Sequence, residues 1–176
     1  MPRAMDAASP ATSARAAIAW AIEVLTATDA QAETLAELQT PRRLGPIRRA
    51  PKFTEVTKVW RLGVLLLADD GRLFATGAVT RARDPRHPNF TSVSGEERRE
   101  LREAARKAGF AAGETVDYDA VPLPLDDTLG SVGPLVVRDG SLLVSWNGSR
   151  TPDSLTPFDV YLDERVELLA EPPQGA

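Results

Sequence analysis

Five cations fall within one short stretch: Arg42, Arg43, Arg48, Arg49 and Lys52. Guanidinium groups grip phosphate or carboxylate oxygens through paired N–H donors, so this cluster is the candidate binding site for an anionic partner. Pro41, Gly45, Pro46 and Pro51 forbid regular helix there and keep the segment extended. Five side chains of an extended segment cannot share one buried face, so most must meet solvent or an acidic group. Lys58 and Arg61 follow, and Glu55 is the only acid between Arg42 and Arg61. The acidic group could be the chain's own. Residues 1–110 carry 18 basic and 13 acidic side chains, whereas residues 111–176 carry 3 and 12, within a net charge of −4. The internal partner is the favoured one. Nucleic acid is not expected, because no zinc-ligand set and no aromatic RNA-binding signature accompanies the arginines.

Other residues capable of chemistry stand alone. His87 is the single histidine, set between Arg86 and Pro88, and neither a nucleophile nor an orienting acid can be assigned to it. The absence of cysteine removes disulfides, thiolate metal sites and cysteine nucleophiles. Asp126-Asp127 and Asp163-Glu164 are adjacent carboxylates, and neighbours on a helix or strand point apart. Gly63, Gly77 and Gly109 form no phosphate-binding loop. Trp60 and Trp146 fall in predicted strands and read as core or sheet surface. No metal and no cofactor is expected.

The elements that must position these residues centre on Lys58 to Arg83. Two apolar runs flank Asp70-Gly71, a dipeptide suited to a two-residue type I′ turn. Leu62 to Leu67 is apolar at both parities, the pattern of a strand buried on both faces. A second hairpin repeats the theme, with Asp139-Gly140 between Pro134 and Trp146. A further strand is predicted at about 114–121. Ser9-Pro10 opens an N-terminal helix as cap and first residue, with Ile18, Ile22 and Leu25 on one face. Thr28-x-x-Gln31 is a capping-box pattern that extends or restarts this helix through Leu35 and Leu38 to Thr40. Ser94-Gly-Glu-Glu97 opens a middle helix at about 95–108, closed by Gly109 and lying on the sheet through Ala104, Ala105 and Ala108. Thr156 caps a last helix at about 157–169, with Pro157 in its first position.

This order predicts an α+β domain: a mainly antiparallel sheet built from two hairpins, at about 56–82 and 134–146, plus one strand, with three helical regions packed on it. The domain spans 10–171, between loose termini at 1–9 and 172–176. The 176 residues are 43% hydrophobic and 26% charged, ordinary values for a globular protein. No apolar run reaches the roughly 18–20 residues that cross a bilayer, and the start lacks a signal-peptide core. A cytoplasmic protein with no membrane partner is expected.

Two resemblances bear on activity. Arg102-Glu-Ala-Ala-Arg-Lys-Ala-Gly-Phe110 resembles the tail of the Nudix signature, Arg-Glu-apolar-x-Glu-Glu-x-Gly-apolar, behind a hairpin as in that family. Arg106 and Lys107 occupy the positions of its two metal-binding glutamates, where cations would repel magnesium. That implies at most a degenerate Nudix-like domain. With the first hairpin, the helix containing Glu-Glu-Arg-Arg-Glu-Leu-Arg-Glu-Ala-Ala, the Gly-Pro-Leu-Val-Val-Arg-Asp-Gly segment and the closing Tyr-Leu-Asp-Glu-Arg-Val-Glu-Leu-Leu, most of residues 40–176 resembles short, uncharacterised bacterial proteins, some labelled glutaminase. That label implies an amide hydrolase and supplies no catalytic residues. Amide hydrolysis needs an activated nucleophile or a metal-bound water, and the sequence shows neither. The reading that follows is a non-catalytic binding or interaction domain, whose partner is a second copy or another macromolecule; the alternative is a hydrolase.

The basic segment yields a direct test. If its partner is the acidic half of the chain, Arg48→Gln with Arg49→Gln lowers stability by about 0–1 kcal/mol per pair, and less in high salt, seen as a lower melting temperature. Unchanged melting with lost, salt-sensitive heparin binding would assign the segment to a polyanion instead.

Overall fold

Ser9 caps the first helix as its sequence dictates: its hydroxyl accepts from the Thr12 amide at 3.2 Å, and Pro10 takes the first position. The computed structural model describes residues 9–40, 50–82, 93–126 and 129–172. Helix α1 (Pro10–Ala27) precedes strands β1 (Glu33–Gln39), β2 (Lys52–Leu62), β3 (Leu65–Ala68), β4 (Leu73–Ala75) and β5 (Ala78–Arg81). Helix α2 (Val93–Lys107) follows, then β6 (Thr115–Tyr118), β7 (Val121–Pro122), β8 (Leu135–Arg138), β9 (Ser141–Ser145), β10 (Leu155–Pro157) and helix α3 (Phe158–Ala170). The α+β class is as expected, with three α-helices among the described residues and mainly antiparallel pairing. The described residues group into two compact units. One draws on 1–31, 60–75 and 121–176, the other on 32–59 and 76–120.

In the first unit α1 buries Ala11, Ala14, Ile18, Ala21 and Leu25, spaced alternately three and four apart, so one helical face meets the core. The end of β2 neighbours β3, β3 pairs antiparallel with β4, and β4 with β7. A separate three-stranded sheet runs β10-β9-β8. All four residues of β3 are buried, as the doubly apolar run requires. Leu65 and Leu67 enter a core with Leu62, Leu135, Val144, Phe158 and Leu162. Tyr161 of α3 fixes the β2–β3 turn: its hydroxyl donates to the Leu62 carbonyl at 3.1 Å and accepts from the Val64 amide at 2.9 Å.

In the second unit the strand order is β5-β6-β1-β2. β1 is antiparallel to β2 but parallel to β6, so this sheet is mixed. Register runs from Leu35↔Thr57 to Ala36↔Glu55, leaving Val56 as the extra residue of a β-bulge. α2 buries Ala104 and Ala105 in a cluster with Ala36, Phe53, Val116 and Tyr118, two of the three alanine contacts expected of it, whereas Ala108 is exposed. Phe53 and Tyr118 meet edge to face at 5.4 Å.

Several expectations are corrected. Residues 33–39 are a strand and not a second helical stretch. Thr28 ends α1 by donating its hydroxyl to the Val24 carbonyl, and Asp29 then turns left-handed at φ 50°. The span 56–82 is not one hairpin but parts of four strands. Gly63, at φ 66°, turns β2 into β3, and β4 and β5 separate at Thr76-Gly77 to pair with β7 and β6. The strand at 114–121 is likewise two, β6 and β7, parted at Asp119, which has φ 56°. The two Asp-Gly turns also differ. Asp139 and Gly140 both have positive φ, as a type I′ turn needs, whereas only Gly71 does in the other. There Gly71 donates to the Ala68 carbonyl and Ala68 to the Arg72 carbonyl, a three-residue loop with glycine in the left-handed position. Ser94 lies inside α2, which already starts at Val93. Thr156 belongs to β10, and Pro157 stands at the cap position of α3 without a side-chain bond.

Leu65 is fully buried in the larger core. Leu65→Ala is expected to lower the unfolding free energy by about 2–5 kcal/mol in urea melts; a loss under about 0.5 kcal/mol would show that β3 is not central to it.

Candidate functional site

Arg42, Arg43, Arg48 and Arg49 lie outside the described residues, as do His87 and Asp127. Lys52 is exposed at the start of β2, opposite Gln39 of β1. Trp60 is a core residue whose indole N–H donates to the Ala30 carbonyl at 3.2 Å. Trp146 stands just past β9, 53% exposed. Asp163 and Glu164 are exposed on α3. Lys107, at the position of a Nudix glutamate, pairs with Glu103 of its own helix at 2.8 Å. Among the described residues no three or more His, Asp or Glu side chains gather to hold a metal, and no helix is long and apolar enough to cross a membrane.

The structure assembles a site from other residues. A groove of about 750 Å³ opens in the first unit, lined from three places. Arg15, Ile18, Ala19 and Ile22 form one stripe of α1, at spacings that put them on a single face. Asp69 to Phe74 bring the β3–β4 turn and the start of β4, and Pro122 to Leu125 the edge strand and the loop beyond it. The turn lies close over the helix: a Cβ added at Gly71 would stand 3.9 Å from Ile18 Cγ2. Arg15 ties helix to loop by donating from Nε to the Leu125 carbonyl at 2.9 Å.

The floor is apolar and the rim carries Arg15, Asp69, Asp70 and Arg72. Asp70 spends both oxygens on one partner: Oδ1 accepts from the Arg72 amide at 3.0 Å and Oδ2 from Arg72 Nε at 2.7 Å. The amide bond above all, with the guanidinium, holds the Asp70 carboxyl below its usual range, so it stays ionised. Arg72 also lies over the Phe74 ring, at 5.8 Å from its centroid. Sequence reasoning missed this groove because each wall has an ordinary local explanation: a helix face, a turn, a proline-rich loop. The signal within reach was Ala19 beside Ile18 and Ile22, which widens the apolar stripe beyond the fully buried positions.

A second cluster lies in the second unit. The Lys58 ammonium donates to the Thr34 hydroxyl, its partner across β1 and β2, and to Glu114 Oε1 at 2.7 Å. Thr34 in turn donates to Glu114 Oε1, and the Ala111 amide donates to Oε2 at 2.7 Å. The Lys58 bond above all, with those from Thr34 and Ala111, lowers the Glu114 carboxyl from 4.5 to about 2 against the opposing effect of burial. A hydroxyl beside an amine is the constellation of a nucleophile and its base. Two features oppose that role. Thr34 is fully buried, and the Lys58 ammonium is held in an ion pair with the Glu114 carboxylate at 2.7 Å. The cluster is a cross-strand lock between β1, β2 and the loop that leads into β6.

Comparison of the chain with protein-family models, with curated proteins and with solved structures finds no match.

Because the folded carboxyl lies below its unfolded value, Glu114 contributes stability that is complete above about pH 4.5 and is lost as pH falls towards about 2. Glu114→Gln is expected to cost about 1 kcal/mol at pH 7, screening at the half-exposed Lys58 keeping it small, and close to nothing at pH 2. Chemical melts of both proteins across that range check this; a gap that stays constant with pH would refute the assignment.

Proposed function

We propose that the protein is a non-catalytic binding domain whose groove between α1, the β3–β4 turn and residues 122–125 takes a small ligand with an apolar body. The observation that carries this reading is the lining itself. Ile18, Ile22, Leu73, Phe74, Leu123 and Leu125 offer apolar surface, and the volume lies within the roughly 300–1,000 Å³ of small-molecule sites. The charged groups stand at the rim, where they orient a ligand and do not react with it. The lining includes no serine, threonine, lysine or histidine to act as nucleophile, the Asp70 carboxylate is committed to Arg72, and the exposed Asp69 carboxylate has no nucleophile in the lining to activate. A peptide strand adding to the sheet is disfavoured at this edge. β7 is only two residues long, and Pro122 and Pro124 lack the N–H groups that a new strand would need.

Ala19 is exposed at the groove wall and outside the buried face of α1. Ala19→Trp therefore fills the groove without entering the core. The uncharged dye N-phenyl-1-naphthylamine is expected to bind the native protein and to bind this variant about tenfold more weakly, with the melting temperature unchanged. Ammonia release from glutamine should stay at background. Release that scales with protein and is abolished by Thr34→Val or Lys58→Met would replace the binding reading with a hydrolase centred on the Lys58 cluster.

A further inference from the structure

The charges at the groove rim are unequal in what they have left to offer, and this points to the head group of the ligand. Asp70 and Arg72 neutralise each other through two bonds. Arg15 is engaged by the Leu125 carbonyl and by a further interaction within the protein. Asp69, exposed on the turn and part of the same lining, makes no hydrogen bond or ion pair with the described residues. We infer that the groove selects ligands with an apolar body and a protonated amine, the amine pairing with Asp69 at the mouth while the body lies on Ile18, Ile22, Leu73 and Leu123. This rests on the binding reading above and deepens it by naming the ligand class.

The physics sets both the direction and the size of the preference. A primary ammonium bears three donors and a full charge, and an exposed carboxylate accepts from it at little desolvation cost. An exposed pair of this kind gives a small gain that salt screens. A carboxylate head would instead meet the Asp69 charge, with both nearby guanidinium groups already engaged. The apolar floor supplies the affinity and Asp69 supplies the discrimination.

Octylamine, octanol and octanoate share one chain and differ only in head group. Their binding to the full protein at neutral pH, measured by displacement of the dye, tests the inference. Octylamine is expected to bind about threefold to fivefold tighter than octanol, and octanoate more weakly than both. Asp69→Asn should remove the preference for the amine, Asp69→Glu should retain it, and about 0.5 M salt should shrink it. Equal binding of the three, or a preference that survives Asp69→Asn, would overturn the amine assignment while leaving the groove as a binding site. Failure of all three to displace the dye, with Ala19→Trp also without effect on it, would overturn the groove reading and this inference together.

Discussion

The hydroxyl of Tyr161 closes the turn on which the first unit is built. It bonds to backbone on both sides of Gly63, so the ends of β2 and β3 are held by one atom of a helix almost a hundred residues later in the chain. The fit excludes any other residue at the turn. A Cβ at Gly63 would come within 2.2 Å of that oxygen, and φ of 66° already disfavours a side chain there. The same tyrosine is fully buried in the core and carries the Arg165 guanidinium at 5.3 Å from its ring centroid. Hydrogen bonding, packing and backbone conformation thus agree at one point, where β2 gives way to β3.

What was legible in the sequence is what local chemistry decides. Ser9-Pro10 caps and starts a helix, Asp139-Gly140 makes a type I′ turn between two apolar runs, and Leu65 to Leu67 has the pattern of a strand covered on both faces. What was not legible depends on partners distant in the chain. Glu33 to Gln39 has leucines three apart, a helical spacing, yet it pairs with both β2 and β6. Its leucines then face opposite sides of a sheet: Leu38 packs at the α2 cluster, and Leu35 is buried apart from it. The bulge at Val56 hides a second relation. Phe53 and Lys58 are five residues apart and would face opposite sides of a regular strand; the extra residue brings the Lys58 ammonium to the side of Thr34 and Ala36. A single inserted residue leaves no local mark. The groove was hidden for the same reason, since its three walls come from segments about fifty residues apart.

The two polar constellations show how the same residue types serve different ends. In the second unit, lysine, threonine and glutamate are spent on one another, and the Thr34 hydroxyl is engaged both ways, donating to Glu114 and accepting from Lys58. At the groove rim the pairing is incomplete. Asp70 and Arg72 are matched, and Asp69, next in the chain, is left facing solvent above an apolar floor.

The division of the chain between its two units has a consequence for how it can be made. The first unit uses the beginning, a short middle stretch and the end; the second uses what lies between. No single cut separates them, so neither can be produced as one contiguous fragment. On a ribosome, α1 cannot complete its core until β8, β9 and α3 have been synthesised, since Leu135, Val144 and Leu162 complete it. The apolar face of α1 must therefore wait, exposed, while the long stretch between it and α3 is made. That interval is when aggregation or chaperone capture competes with folding.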